Sequence, residues 1–293
     1  MNTILKSHFK LHFVVLLYGF TAILGKLVSL PSPQLVWYRM FIAALVLGIF
    51  MRLKGIPFAI GKNNIIKIMG VGLVVAFHWI TFFGAVKISN VSVTLGCMAS
   101  TTLFASFLEP IIFRKRIKWI EVLIGIIIIS GLYLIFQFEL GYLKGILTAL
   151  TSAFLAGLFT VLNKLFIDKH HPVTISFYEM GSGFAAITIF LAFTGTFNGK
   201  MVPPSTMDIV FVLILGVICT AYAFVAAVDV MKVLSAYSVV LAINMEPVYG
   251  ILLAFAIFGQ SEYMSAGFYI GTAVILLAVF LHPVLTRKMN IRN

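Results

Sequence analysis

Ten separate stretches of about 20 mainly apolar residues follow one another along the chain, at 11–30, 34–52, 65–86, 93–113, 119–136, 144–166, 175–194, 209–230, 237–257 and 266–285. A helix needs about 20 such residues to cross a hydrocarbon core about 30 Å thick. Within lipid, only helices and closed barrels satisfy their own backbone. No interval between stretches exceeds about 14 residues, which leaves no room for a folded domain outside the membrane. The chain therefore reads as an all-α membrane protein of ten transmembrane helices. Composition agrees, with 10% charged residues against roughly 25% in soluble domains. The first stretch follows Lys6 and Lys10 in the manner of a signal peptide, but it is longer than a signal core and no small-x-small cleavage site follows. It is expected to remain as a helix.

The formal charge of +12 does not require a nucleic-acid partner, because Lys and Arg sit in the short connections between stretches, where they orient spans and meet anionic headgroups. With the N-terminus inside, 16 basic residues fall on inner segments and 4 on outer ones, with Arg39 inside a span. This bias predicts that both termini are cytoplasmic. Cys97 and Cys219 lie within apolar stretches, so neither a disulfide framework nor a metal motif is expected. No feature specifies an oligomeric state.

Internal similarity appears at a shift near 140. Tyr18-Gly19 through Lys26 matches Ala156-Gly157 through Lys164 at 138, and Trp37-Tyr38-Arg39 matches Phe177-Tyr178-Glu179 at 140. Ala85-Val86-Lys87 matches Ala227-Val228-Asp229 at 142, and Glu109-Pro110 matches Glu246-Pro247 at 137. The predicted units are residues 1–137 and 138–293. Five spans per unit is an odd number, so the two repeats must be inverted in the membrane. The connection after span 4 reads Arg114-Lys115-Arg116, whereas its counterpart after span 9 reads Gly259-Gln260-Ser261-Glu262. Equivalent connections on opposite faces should differ in just this way. Inverted repeats are frequent in secondary transporters, with substrate held near the midplane.

Leu16-Leu17-Tyr18-Gly19-Phe20 with Lys26, Arg39, and Phe83-Gly84-Ala85-Val86-Lys87 resemble the first half of the EamA branch of drug/metabolite transporters. Ala221-Tyr222-Ala223-Phe224, Leu234-Ser235-Ala236 and Glu246-Pro247 resemble its second half. The resemblance spans nearly the whole chain in conserved order. It implies a ten-helix carrier in the cytoplasmic membrane that moves small metabolites or amino-acid-like solutes, often outward. The chain departs from the family pattern at Arg114-Lys115-Arg116, where Gly-Glu is usual, and at Tyr18, where tryptophan is common.

Polar groups inside spans are costly and point to function by default. Tyr18, His78, Trp79, Thr160, Tyr222, Asn244 and Glu246 are the candidate cavity residues. The alternative reading for His78 and Asn244 is a hydrogen bond between helices, and for the aromatic residues, packing or lipid contact. Asn163 is weaker for the same reason. Arg39 stands about five residues into span 2, so snorkelling to headgroups is expected, and Glu179 is expected to behave alike from the inner side. Lys87, Asp229 and His170-His171 read as solvated. Gly145, Ala149, Ala153, Ala156, Gly157 and Thr160 give one face without bulk, suited to close helix packing.

The two Glu-Pro sites are the candidate coupling or hinge elements. Pro110 removes the bond to the Ser106 carbonyl and Pro247 that to the Ile243 carbonyl, so Glu109, Pro110, Glu246 and Pro247 should mark bends in spans 4 and 9. Glu246, about 15 Å deep by helical rise, is the carboxyl best placed to carry a coupling proton or to bind a substrate ammonium. No GxxxxGK[ST] loop is present to drive transport with nucleotide, and no HExxH or carboxylate pair to support an intramembrane enzyme. The expected function is secondary transport of a small organic solute, with export the direction that the resemblance implies, with lipid and protons as further partners and no cofactor. A passive channel or an enzyme lacking a known motif is the alternative.

Overall fold

The computed structural model describes residues 3–114, 116, 119–197, 201, 205–243 and 245–290, and these contain no strand. In chain order the helices are α1 Thr3–Leu27, α2 Ser32–Lys54, α3 Lys62–Ile88, α4 Val91–Met98, α5 Thr101–Phe113, α6 Trp119–Phe138, α7 Leu143–Ile167 and α8 Pro172–Phe193. They continue with α9 Thr206–Gly216, a π-helical segment Val217–Tyr222, α10 Ala223–Val230, α11 Ala236–Ile243, α12 Glu246–Phe258 and α13 Ala266–Asn290.

Side-chain caps and backbone breakers place the ends. Asn90 accepts the Val93 N–H at 2.8 Å to open α4, and Ser205 accepts the Asp208 N–H at 3.0 Å to open α9. Both satisfy helix donors that have no partner within the helix. At the far end of α2, Gly55 adopts φ 62° and returns its N–H to Met51, the left-handed stop that glycine takes without strain.

Among the described residues, seven stretches are long and apolar enough to cross a membrane: Leu5–Leu27, Ser32–Lys54, Lys62–Ile88, Val91–Phe113, Leu140–Ile167, Pro172–Phe193 and Thr206–Val230. Val122–Phe138 and Ala266–Ala278 are shorter apolar helices, and the stretch expected at 237–257 is divided between α11 and α12. The long helices show one face to the core and one outward, whereas α4 is buried throughout. On α2, Leu35, Val36, Met40, Ala43, Leu47 and Met51 are buried while Phe41, Leu45, Ile49 and Phe50 are exposed. Apolar side chains on an outer face suit lipid as the surrounding solvent.

The helices of the two sequence halves interleave. Contacts occur in pairs that exchange when the halves are exchanged: α3 with α7 and α1 with α10, α3 with α8 and α2 with α9, α1 with α12 and α5 with α7. Mates also meet directly, as in α2 with α8 and α6 with α13. Gly19 and Gly157, matched at the 138-residue shift, mark equivalent crossings. A Cβ at Gly19 would lie 3.1 Å from the Gly250 nitrogen on α12, and one at Gly157 would lie 3.3 Å from the Ala105 nitrogen on α5. Only glycine permits backbones to approach so closely.

Two breaks interrupt these helices at unmatched positions. One separates α4 from α5 at Ala99-Ser100, and the other separates α11 from α12 just before Glu246-Pro247. Pro110 instead lies buried inside α5. The break in span 4 therefore lies apart from its Glu-Pro site. Near the actual break, the Ser100 and Thr101 hydroxyls donate to the carbonyls of Cys97 and Met98 at 2.7 Å each, competing with the helical ladder.

Candidate functional site

A cavity of about 70 Å³ lies where α1, α2, α3, α7, α10 and α12 converge. At roughly 10–15 Å³ per water, it holds only a few waters in this conformation. Its wall is mostly apolar and aromatic, with Phe82, Phe159, Phe224 and Val228 among the lining residues. Polar groups enter at separate points: Tyr18 and Thr21 from α1, Arg39 from α2, His78 from α3, Thr101 from α5, Thr160 and Asn163 from α7, and Glu246 from α12.

Arg39 is 2% exposed and does not snorkel. Leu35, Arg39 and Ala43 recur on the buried stripe of α2, so helical periodicity turns the guanidinium inward whatever its distance from the helix end. The guanidinium carbon stands 3.9 Å from the centre of the Trp79 ring, a cation–π contact strengthened by desolvation. Nε donates to the Thr220 hydroxyl, and Nη2 donates to the Cys219 carbonyl at 3.2 Å. Both acceptors belong to the π-helical segment, where Thr220 also donates to the Leu215 carbonyl five residues back at 2.6 Å. The wider π turn thus presents backbone and hydroxyl acceptors to a buried cation. Nη1 has no partner.

Glu246 opens α12, is 7% exposed, and reaches the same cavity, near enough to Arg39 for their charges to interact. The Gly19 crossing fixes it from the other side, because a Cβ there would lie 3.4 Å from the Glu246 carbonyl oxygen. Tyr18 lies beside this crossing and interacts with both charged groups. The cavity therefore pairs one cation from the first sequence half with one carboxyl from the second.

His78 joins α3 to α7. Its Nδ1 is 3.0 Å from the Ser152 carbonyl oxygen and 2.8 Å from the Ser152 hydroxyl, which itself donates to the His78 carbonyl at 3.0 Å. With Nδ1 donating to the carbonyl, the arrangement is reciprocal and the ring is held at the cavity edge, 5.3 Å from Phe159 between centroids. Thr160 donates to the Ala156 carbonyl at 2.7 Å, leaving its oxygen lone pairs to face the cavity.

Of the residues singled out from sequence, Tyr18, His78, Trp79, Thr160, Glu246 and Pro247 line this cavity. Tyr222 is 49% exposed and sets its ring edge-on to Phe13. Phe224, Ala227, Val228 and Met231 form the inward stripe of that region, and Tyr222 falls off it. Glu109 is half-buried on α5 and Pro110 is buried there, and neither lines the cavity. Asn244 lies outside the described residues. Arg39, Thr21, Thr101 and Asn163, which were not among the sequence candidates for the cavity, also line it. The inward stripe on α2 was the signal available for Arg39.

Ion pairs close the region at both ends. Lys26 on α1 meets Glu262 at 2.6 Å, and Lys10 on α1 meets Asp229 on α10 at 2.6 Å, with Lys232 beside it at 3.1 Å. No group of three or more His, Cys, Asp or Glu suited to a metal occurs among the described residues.

The EamA-like transporter family matches residues 6–137 and again residues 143–282. The protein named "Uncharacterized transporter YxxF" from Bacillus subtilis (strain 168) is 22% identical over 264 residues, covering 86% of this chain and 83% of that protein. A crystal structure superposes with a TM-score of 0.71 at 17% identity, over 97% of this chain and 98% of the other. That likeness concerns the fold alone.

Proposed function

Because the chain belongs to the EamA-like transporter family, we propose that it is a secondary transporter for a small zwitterionic, amino-acid-like solute. The observation that carries this reading is the presence of Arg39 and Glu246 in one small, mostly apolar cavity. Arg39 would pair with the solute carboxylate through its partnerless Nη1, and Glu246 with the ammonium. Water-excluded surroundings make both contacts strong. Trp79, Phe82 and Phe159 would receive the apolar part.

The architecture proposed is ten spans in two inverted repeats, residues 1–137 and 138–293, in the cytoplasmic membrane with both termini inside. The basic bias of 16 to 4 supports it, as do the contacts that exchange with the halves. Alternating access would widen the cavity by moving α11 and α12 about the break before Glu246-Pro247. Glu246 could carry a proton when no ammonium is bound, which would couple solute movement to protons. Export is the direction in keeping with the family.

The test is a thermal-shift screen of purified protein against amino acids, their decarboxylated amines and their deaminated acids. Hits are then assayed by counterflow in proteoliposomes. The proposal predicts that zwitterions stabilise the protein, that neither half-charged analogue does so comparably, and that internal solute accelerates uptake. Stabilisation by amines and acids alike without a zwitterion preference, or flux without counterflow, refutes it.

A further inference from the structure

Eight buried side-chain atoms lack a hydrogen-bond partner among the described residues, and five of them belong to Asn163, Ser176 and Glu179. All three residues are 0% exposed. Glu179 and Ser176 are three residues apart on α8 and so share a face. The Asn163 amide on α7 stands within interaction reach of the Glu179 carboxyl, but off hydrogen-bond geometry. Asn163 also lines the cavity, whereas Glu179 lies behind it. One amide thus separates a solute cavity from a buried carboxyl.

Helix packing is tight at this point of α8. A Cβ at Gly72 on α3 would fall 2.4 Å from the Glu179 carbonyl oxygen and 2.7 Å from its Cα, so α3 and α8 touch backbone to backbone there. Ser182 cannot serve the carboxyl, because its hydroxyl is directed to the Met69 and Glu179 carbonyls at 3.0 and 3.1 Å. The titratable groups on the packed elements are Tyr38, Arg39, Arg52 and Lys54 on α2, Lys62, Lys67, His78 and Lys87 on α3, Lys144 and Lys164 on α7, and Asp229 on α10. None of them makes a hydrogen bond to the Glu179 carboxyl. A buried carboxyl that has neither a cation nor a bonded donor beside it costs least when it holds its proton, and both Glu179 oxygens lack a hydrogen-bond partner among the described residues.

From this placement we infer that Glu179 is a proton-binding site set behind the cavity wall, which exchanges its proton with the cavity through Asn163. A small rotation of the amide completes the missing hydrogen bond on one side and meets cavity water on the other. Ser176, one turn away, supplies a second hydroxyl that can accept or donate as the carboxyl changes state. Glu179 is the repeat counterpart of Arg39, so equivalent positions would hold a fixed cation in one half and a removable proton in the other. The inference does not depend on which solute the cavity takes.

The experiment uses infrared spectroscopy of the full chain in phosphatidylcholine vesicles, with exchange from H₂O into D₂O and the proton itself as probe. Glu246→Gln serves as the background, to remove the other buried cavity carboxyl. The expected result is a protonated-carboxyl band that disappears in the Glu246→Gln/Glu179→Gln double variant. Its deuterium shift should slow about tenfold or more in Asn163→Leu, equivalent to at least about 1.4 kcal/mol of added opening cost. Asn163→Val provides the same measurement if the leucine variant does not fold. A band that survives Glu179→Gln, or an exchange rate indifferent to removal of the amide, overturns the inference.

Discussion

Glu262 should be worth more to the fold than the lysine it pairs with. Its carboxylate is completely buried and receives four donors: Lys26 Nζ at 2.6 Å, the Val91 and Ser92 backbone N–H groups at 3.2 and 2.8 Å, and the Ser92 hydroxyl at 2.8 Å. Two of those donors are the unsatisfied N–H groups at the start of α4, where a negative charge is also favoured by the helix dipole. Glu262→Ala leaves them and an ammonium without a partner, and removing one member of such a buried network costs about 3–5 kcal/mol. Lys26→Met leaves three donors on the carboxylate. The lysine side chain is 25% exposed, so solvent screens the lost pair and the expected loss is about 1 kcal/mol. Glu262→Gln should fall between them. Cys97 and Cys219 are both buried free thiols, so a thiol-reactive dye reports unfolding of each variant in detergent. The expected order of destabilisation is Glu262→Ala, then Glu262→Gln, then Lys26→Met. If Lys26→Met destabilises as much as Glu262→Ala, the helix start is not what the carboxylate supports.

Other consequences can be checked in the same preparation. His171 caps α8 by accepting the Val173 N–H at 3.3 Å, and burial, helped by Lys232, lowers its pKa from the usual 6.5. A histidine that titrates lower when folded contributes stability above pH 6.5 and loses it as pH falls, because the unfolded chain takes up the proton first. Thermal stability should therefore decline less from pH 7 to pH 5 in His171→Asn, which keeps a cap, than in the parent, and equal slopes would contradict this. Gly19→Val and Gly157→Val should each destabilise by about 1–3 kcal/mol through overpacking at their crossings, and an unchanged melting temperature would show that the backbones can separate freely. Single cysteines at 116 and at 260, in a background with Cys97 and Cys219 replaced, should be modified by an impermeant reagent from opposite faces. Labelling from the same face would reject the inverted arrangement.

Hydropathy was enough to read the membrane class and the helical content, because lipid leaves the backbone no other solution. The matched segments were also legible, and the family match over both halves agrees with them. What the sequence concealed was rotation about each helix. Arg39 was assigned by depth, yet its stripe with Leu35 and Ala43 turns it toward Trp79. Tyr222 was grouped with Tyr18 as a central aromatic, but it lies off the stripe formed by Phe224, Ala227 and Val228. The π-helical turn that supplies the Cys219 and Thr220 acceptors has no clear sequence mark, since VICTAY reads as ordinary helix. Proline draws attention to Pro110, whereas the first-half break lies at Ala99-Ser100, beside hydroxyls that compete for carbonyls.

Crossed loss of charge recognition at Arg39 and Glu246 tests the proposed function most directly. Affinities of a zwitterionic hit, its amine and its acid are to be measured for the parent, Arg39→Gln and Glu246→Gln. The account predicts that each variant weakens the zwitterion on the order of 100-fold, about 3 kcal/mol for a desolvated charge pair. It further predicts that Arg39→Gln leaves amine binding unchanged and that Glu246→Gln leaves acid binding unchanged. If both variants weaken all three ligands equally, or if neither weakens the zwitterion, the two charges do not read the two ends of the solute.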